Sequence, residues 1–461
     1  MNLREKIYQK RRLSEVKHTT LNPYGPGVVR IHLVPPKSSW KAEPSVVILN
    51  GKDILPINTS WTILLSEFID QINKYNGHEI TENDLRCIRD KTLENVKKIY
   101  WKTDKDIIKK DLAILIKTLC QIAYGETTDI EIPYMTIGEY AKYMQAPHRM
   151  DLMISSMTKN GVWHCNQKCT NCYAAGQYNA DVEEISTEEW KNIIDKCRKA
   201  CIPQLTFTGG EPTLRNDLVE LIEYSKWFVT RLNTNGQLLS KELCKQLYEV
   251  SLDSIQITLY SSVESEHQLL IGSSGGFEKT VEGIKNALAA GLNVSVNTPL
   301  CRVNKDYVKT LTFLHELGVE YVSCSGIIFT GNARNESAKQ QQMTENELYA
   351  TIKEAAKYCK TVHMELAFTS PGLVNEEKLR ELSLDVPTCG ACMSNMAIAP
   401  NGDVVPCQSW LDENSTLGNM LTDSWKKIWN SPMSLSTREF ASKLEYRCPL
   451  RDGFDGGAYH E

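Results

Sequence analysis

No stretch of this 461-residue chain holds an unbroken apolar run near the roughly 18 residues that a membrane span needs, and the N-terminus MNLREKIYQKRR has no apolar segment of the secretory kind. A cytoplasmic protein with no membrane partner is therefore expected. Neither sign of charge dominates: 52 Lys and Arg stand against 57 Asp and Glu, for a net charge of −5. Apart from Lys10, Arg11 and Arg12 the basic residues are dispersed, so no nucleic acid partner is expected either. Internal repeats and low-complexity tracts are also missing. What the chain has in quantity is cysteine, 15 in all.

In a large chain of a reducing compartment, clustered thiols more often ligate metal than form a disulfide framework. Cys87, Cys120, Cys197, Cys201, Cys244 and Cys359 are scattered through helix-like segments and read as packing residues. The others gather. Cys165, Cys169 and Cys172 stand in CNQKCTNCY with spacing C-x3-C-x2-C, and Cys389, Cys392 and Cys407 have spacing C-x2-C-x14-C, followed by Cys448 in YRCPLRDG.

The length predicts two or three domains, with periodicity changes near 145 and 385. Residues 1–145 combine two short β-rich runs, the second with an Asn50-Gly51 hairpin signal, and three amphipathic helices near 59–75, 81–99 and 104–123. This is an α+β domain. Residues 146–335 alternate strand and helix: DLMISSM, QLTFTGG, VTRLNTNG, SIQITLYSS, NVSVNTPLC and YVSCSGIIFTG read as buried strands. Such β/α repeats predict an α/β fold, a partial (β/α)6 TIM-like barrel whose site lies at the carboxyl ends of its strands. A connecting helical segment is expected over 336–385 and a cysteine-bearing extension over 386–461, with Asn401-Gly402 marking a hairpin.

The first cysteine loop follows the first barrel strand, among polar residues that give no reason for burial. One face of a helix and a zinc site completed by His164 are the alternatives, and an iron-sulfur cluster held by three thiolates accounts best for the spacing. Three ligands for four irons leave one iron open to a small molecule. In TFTGGEPTLR, Gly209 and Gly210 end the second strand, where they let backbone approach a ligand, and Glu211 offers a carboxylate to an amine.

CNQKCTNCY and GGEP on a β/α scaffold resemble the radical S-adenosylmethionine (SAM) superfamily, over about residues 150–335. The resemblance implies that Cys165, Cys169 and Cys172 hold a [4Fe-4S] cluster whose open iron chelates SAM. An electron from that cluster then cleaves SAM to methionine and a 5′-deoxyadenosyl radical, which takes hydrogen from a substrate. It implies further that Gly209, Gly210 and Glu211 clamp the methionine amine, that Tyr173 lies near the adenine, and that Thr258 and Asn297 contact ribose and the methionyl carboxylate. Where many relatives carry Ser and Asp on the fourth strand, this chain has Thr258 and Tyr260. A flavodoxin or ferredoxin is the implied electron donor.

CMSNMAIAPNGDVVPC is similar to the C-x9-G-x4-C hairpin of SPASM and twitch extensions. With four cysteines, Cys389, Cys392, Cys407 and Cys448, a twitch-like extension with one auxiliary [4Fe-4S] cluster is expected, a structural zinc being the alternative. The N-terminal domain loosely resembles the leader-recognition domains of enzymes that modify ribosomally made peptides (RiPP maturation), so a precursor peptide is the expected partner and a crosslink, thioether or epimer the expected product. The alternatives are radical chemistry on a small molecule, as in molybdenum-cofactor precursor synthesis, and a non-catalytic zinc scaffold. No catalytic side chain is assigned; Cys301 and Cys324 read as packing before hydrogen donors.

Overall fold

A computed structural model describes residues 3–450 except 14, 22–28, 37–42, 52, 76–79, 136–138, 141–142 and 445–446. Gly456 and Gly457 lie outside the described residues. Two compact units emerge, Met1–Ala146 with Arg198–Pro203, and Pro147–Cys197 with Gln204–Glu461.

In the first unit, β1 (Lys17–Leu21), β2 (Val29–Val34), β3 (Ser45–Leu49) and β4 (Asp53–Ile57) form an antiparallel sheet in that order. Asn50 and Gly51 turn the chain between β3 and β4 with φ of 49° and 69°, the left-handed values a tight hairpin requires. The helices that follow begin where side chains satisfy their free N–H groups: Asn58 accepts from the Trp61 N–H at the start of Thr59–Ile72, and Thr81 and Asp84 form a capping box ahead of Glu82–Lys97. Ile31, Leu33, Val47 and Leu49 of the sheet pack with Ile63, Phe68, Leu115 and Leu119 of the helices in one buried core. Cys87 departs from the packing expectation. It is exposed, because the buried stripe of its helix runs through Ile88, Thr92, Leu93 and Val96.

The second unit is built on a ten-stranded sheet. After β5 (Arg149–Ser155) comes a small hairpin of β6 (Thr158–Lys159) and β7 (Val162–Trp163), and then the barrel strands β8 (Gln204–Gly209), β9 (Val229–Thr234), β10 (Ser254–Thr258), β11 (Val294–Leu300) and β12 (Tyr321–Gly326). β5 and β8 to β12 are all parallel and adjacent in that order, which gives the six expected barrel strands; β13 (Glu365–Phe368) adds a seventh beyond β12. Outward residues such as Ile255, Ile257, Val296 and Leu232 are buried under helices, whereas the alternate positions carry Arg231, Asn233, Gln256, Thr258 and Asn297. The lumen is therefore polar. On the other flank of β5 lies β14 (Asn395–Ile398), parallel to it with Asn395 opposite Arg149, followed by antiparallel β15 (Asp403–Val405) and β16 (Gly418–Asn419). The Asn401-Gly402 hairpin joins β14 to β15, Gly402 having φ of 88°. The cysteine-bearing extension thus continues the barrel sheet. Among the described residues no helix is long and apolar enough to cross a membrane.

Candidate functional site

The loop carrying the first three cysteines is tied down by backbone bonds to distant elements. Lys168 N–H donates to Ile271 O (2.9 Å) and Thr170 N–H to Leu270 O (2.9 Å), at the end of the helix Glu264–Ile271. Asn332 donates through its backbone N–H to Cys172 O (2.9 Å) and through Nδ2 to Cys169 O (3.0 Å). Two glycines make this approach possible: a Cβ on Gly272 would lie 2.3 Å from Lys168 O, and one on Gly331 2.5 Å from Cys172 O. A polar loop with no core of its own is thereby held in one conformation.

Gly209 and Gly210 have a reason the sequence did not show. Gly209 has φ of 137°, and Cβ atoms on the two would lie 2.3 Å from Ser155 O and 2.6 Å from Ser156 O. The close approach is to the end of β5, and Gly210 N–H donates to Ser155 O at 2.7 Å. The same glycine's carbonyl accepts from Cys165 Sγ at 3.4 Å, which links this turn to the cysteine loop. Gly209→Ala is expected to destabilise the protein by about 1–3 kcal/mol, because it forces a side chain into a backbone region reserved for glycine. A thermal scan checks this, with a lowered midpoint the expected result.

Glu211 is buried, 1% exposed. Its Oε1 accepts from the N–H and hydroxyl of Thr213 and from Thr234 Oγ1 (2.6 Å), while Oε2 accepts only from Asn235 N–H (2.8 Å) among the described residues. Burial pushes this carboxyl up from its ordinary range, and these bonds hold it down in part. Oε2 retains acceptor capacity for a ligand amine.

One cavity of about 670 Å³ gathers nearly all the expected site residues. Cys165, Cys169, Cys172, Tyr173, Gly209, Gly210, Glu211, Thr258 and Asn297 line it, and so do Cys389, Cys407 and Cys448. Cys392 does not line it; it is fully buried next to Cys389, in the left-handed region at φ of 55°, with Arg438 Nε donating to its carbonyl at 2.8 Å. His164 also stands outside the lining and approaches Glu184 at 3.8 Å. Cys301 and Cys324 are buried away from the cavity, as packing residues are.

All seven clustered cysteines are free thiols. Electrostatic coupling sorts them into two sets: Cys169 with Cys165 and Cys172, and Cys389 with Cys392, Cys407 and Cys448. Burial pushes the Cys165 thiol up to about 12 and the Cys389 thiol to about 11. Thiolates buried this way need positive charge beside them, which a metal cluster supplies. Among the described residues no three His, Cys, Asp or Glu side chains are placed to hold a single metal ion. Sets made of thiolates alone have the donor chemistry that iron-sulfur clusters use. The cavity wall also holds buried polar atoms without a hydrogen-bond partner: Gln167 Nε2, both amide atoms of Asn171, and Gln408 Oε1. Such atoms mark a place shaped for a polar ligand.

Comparison with known proteins matches this geometry. The radical SAM superfamily model matches residues 164–314, and the SPASM model, an iron-sulfur cluster-binding domain, matches residues 389–449. The chain thus carries a radical SAM domain and a C-terminal SPASM domain. It uses SAM and a [4Fe-4S] cluster, and the SPASM domain binds auxiliary iron-sulfur. In sequence it is similar to the Fe-coproporphyrin III synthase of Methanosarcina barkeri, 33% identical over 162 residues that make up 34% of this chain and 40% of that synthase. It is 28% identical to the AdoMet-dependent heme synthase of Oleidesulfovibrio alaskensis over 300 residues, 61% of this chain and 75% of that one. In fold it is similar to Streptococcus suis SuiB bound to the precursor peptide SuiA, with a TM-score of 0.58 at 15% identity over 86% of this chain and 88% of SuiB. It is also similar to anSMEcpe with bound AdoMet, with a TM-score of 0.50 at 15% identity over 62% and 82% of the two chains.

Sequence reasoning missed several cavity residues: Arg149, Thr206, Arg231, Asn233 and Gln256. The available signal was the run of polar residues at every second position of strands that read as buried on both faces.

Proposed function

We propose that this enzyme abstracts hydrogen from a ribosomally made precursor peptide. The observation behind this is the likeness to SuiB over 86% of the chain, a span that requires the N-terminal unit as well as the barrel; that protein is described bound to a precursor peptide. The unit Met1–Ala146 has outer strands β1 and β4 at its sheet edges, and a leader segment is proposed to add as a further strand there.

Cys165, Cys169 and Cys172 are proposed to hold the SAM-binding cluster, and Cys389, Cys392, Cys407 and Cys448 one auxiliary [4Fe-4S] cluster, with flavodoxin or ferredoxin as the electron donor. When bound and reduced, the first cluster and SAM together supply a 5′-deoxyadenosyl radical. The protein's own part is to bind and orient. Glu211 Oε2 accepts from the methionine amine, beside a turn that Gly209 and Gly210 hold against β5. Tyr173, half-buried and sharing a hydrogen bond with Thr208, offers a flat face to the adenine. Thr258 and Asn297, opposite each other on β10 and β11, face ribose and the methionyl carboxylate. Cluster loop and auxiliary cysteines line the same cavity, so a substrate held between them is shielded from water.

The test is anaerobic incubation of the reconstituted enzyme with dithionite, SAM and the peptide products of any short reading frames flanking its gene. The expected outcome is a peptide that loses a pair of hydrogens, or one of unchanged mass that carries a solvent deuteron when the reaction is run in D2O. An untouched peptide alongside full SAM cleavage would sink the peptide reading. A second reading, a tetrapyrrole substrate, is favoured by the similarity to the two synthases in sequence, and turnover of Fe-coproporphyrin III under the same conditions would establish it.

A further inference from the structure

The inner part of the barrel lumen carries charge that the radical chemistry does not use. Parallel register places Asp151, Thr206, Arg231 and Ser254 side by side on β5, β8, β9 and β10, with Arg149 one step deeper and Asn233 and Gln256 one step nearer the mouth. The charges do not cancel. Arg149 pairs with Asp151, Nε to Oδ1 at 2.9 Å. Arg231 has no carboxylate within ion-pair distance among the described residues; its Nε donates to Ser254 Oγ at 3.3 Å. Two guanidinium groups therefore share one carboxylate in a space closed on its outer side by helices, and burial together with Arg149 pushes the Arg231 guanidinium down from its ordinary value. Beside it, Thr206 Oγ1 and Asn233 Oδ1 are buried without partners. The amide of Asn233 presents a donor equally well when turned over.

A partly buried cation that must share its counter-charge is favoured by an added anion, and a planar guanidinium fork matches a carboxylate in two bonds. We infer that the inner lumen is a carboxylate subsite for the substrate, with Arg231 as the principal ligand and Thr206 and Asn233 beside it. The site is distinct from the proposed SAM clamp: Thr234, which touches Glu211, ends β9, and Arg231 lies three residues earlier, about 10 Å deeper at ~3.3 Å per residue. An acidic side chain of a peptide and a propionate of a tetrapyrrole both present this group. The inference rests on the reading of this cavity as the substrate chamber, not on which of the two enters it.

Equilibrium titration of the reconstituted full chain tests it without turnover. The probes are the doubly capped tripeptide Ala-Glu-Ala against Ala-Gln-Ala, followed by calorimetry, and Fe-coproporphyrin III against its tetramethyl ester, followed by absorbance. At least one carboxylate probe should bind roughly 10- to 100-fold tighter than its uncharged counterpart. Arg231→Gln should erase that preference and Arg231→Lys should keep part of it. The probe that shows the preference identifies the source of the carboxylate. If neither charged probe outbinds its counterpart, or if Arg231→Gln keeps the preference, the subsite does not exist. Circular dichroism and iron content establish that the variants are folded; if the Gln variant is not, the wild-type comparison decides. Because binding is read directly, an unmodified precursor peptide in the turnover assay leaves this result standing, and loss of the preference leaves the turnover result standing.

Discussion

Replacing Cys165, Cys169 and Cys172 together by alanine is expected to reduce 5′-deoxyadenosine formation, in the presence of dithionite and SAM, to the background of a reaction without enzyme. The three thiols are held on a loop whose backbone is bonded to Leu270, Ile271 and Asn332, so their removal takes away the donors and leaves the scaffold. Chromatography of the quenched reaction reads the product, and iron should fall in parallel by about four atoms per chain if the site holds four. Unchanged SAM cleavage in the triple variant would refute the assignment of these residues.

The double change Cys389→Ala and Cys392→Ala is expected to separate the two cluster sites. Wild-type enzyme should contain about eight irons per chain and the variant about four, since each four-iron site needs its thiolate set. SAM cleavage should survive while modified substrate falls, because Cys165, Cys169 and Cys172 are untouched. Cys392 is also held in a constrained conformation. It occupies a left-handed backbone conformation, rare for residues other than glycine, with its N–H bonded to Pro406 O at 3.2 Å and its carbonyl to Arg438. A backbone constrained this way is the mark of a position where geometry has been fixed for a purpose. Eight irons retained in the double variant, or a zinc ion in the C-terminal site, would make the extension structural.

Features set by nearby residues could be read without a structure. The spacing of the first cysteine loop, the Asn50-Gly51 and Asn401-Gly402 turns, and the alternation of β and α segments all follow from local chemistry, and each is found where it was expected. Long-range partners left no local trace. Nothing in NMAI marks β14 as the parallel neighbour of β5, and nothing in TGNARN shows that Asn332 fastens the cysteine loop. Gly209 and Gly210 stood out as a pair, but the β5 backbone that crowds them left no mark in the sequence. Arg231 was hidden by its setting, since one charged residue in a strand reads as an edge or an exposed face until register shows it inside a barrel.

The pairing of β14 with β5 also has a consequence in time. Asn395 leaves the ribosome 246 residues after Arg149, its partner in the sheet. At ~5–20 residues per second that is roughly 12–50 s during which one side of β5 presents free N–H and C=O groups while the rest of the barrel is already available to fold. Bare strand edges recruit other strands. The nascent chain therefore has a period of vulnerability set by the rate of translation, and it closes only when the second cysteine-bearing segment arrives to cover the edge next to the first.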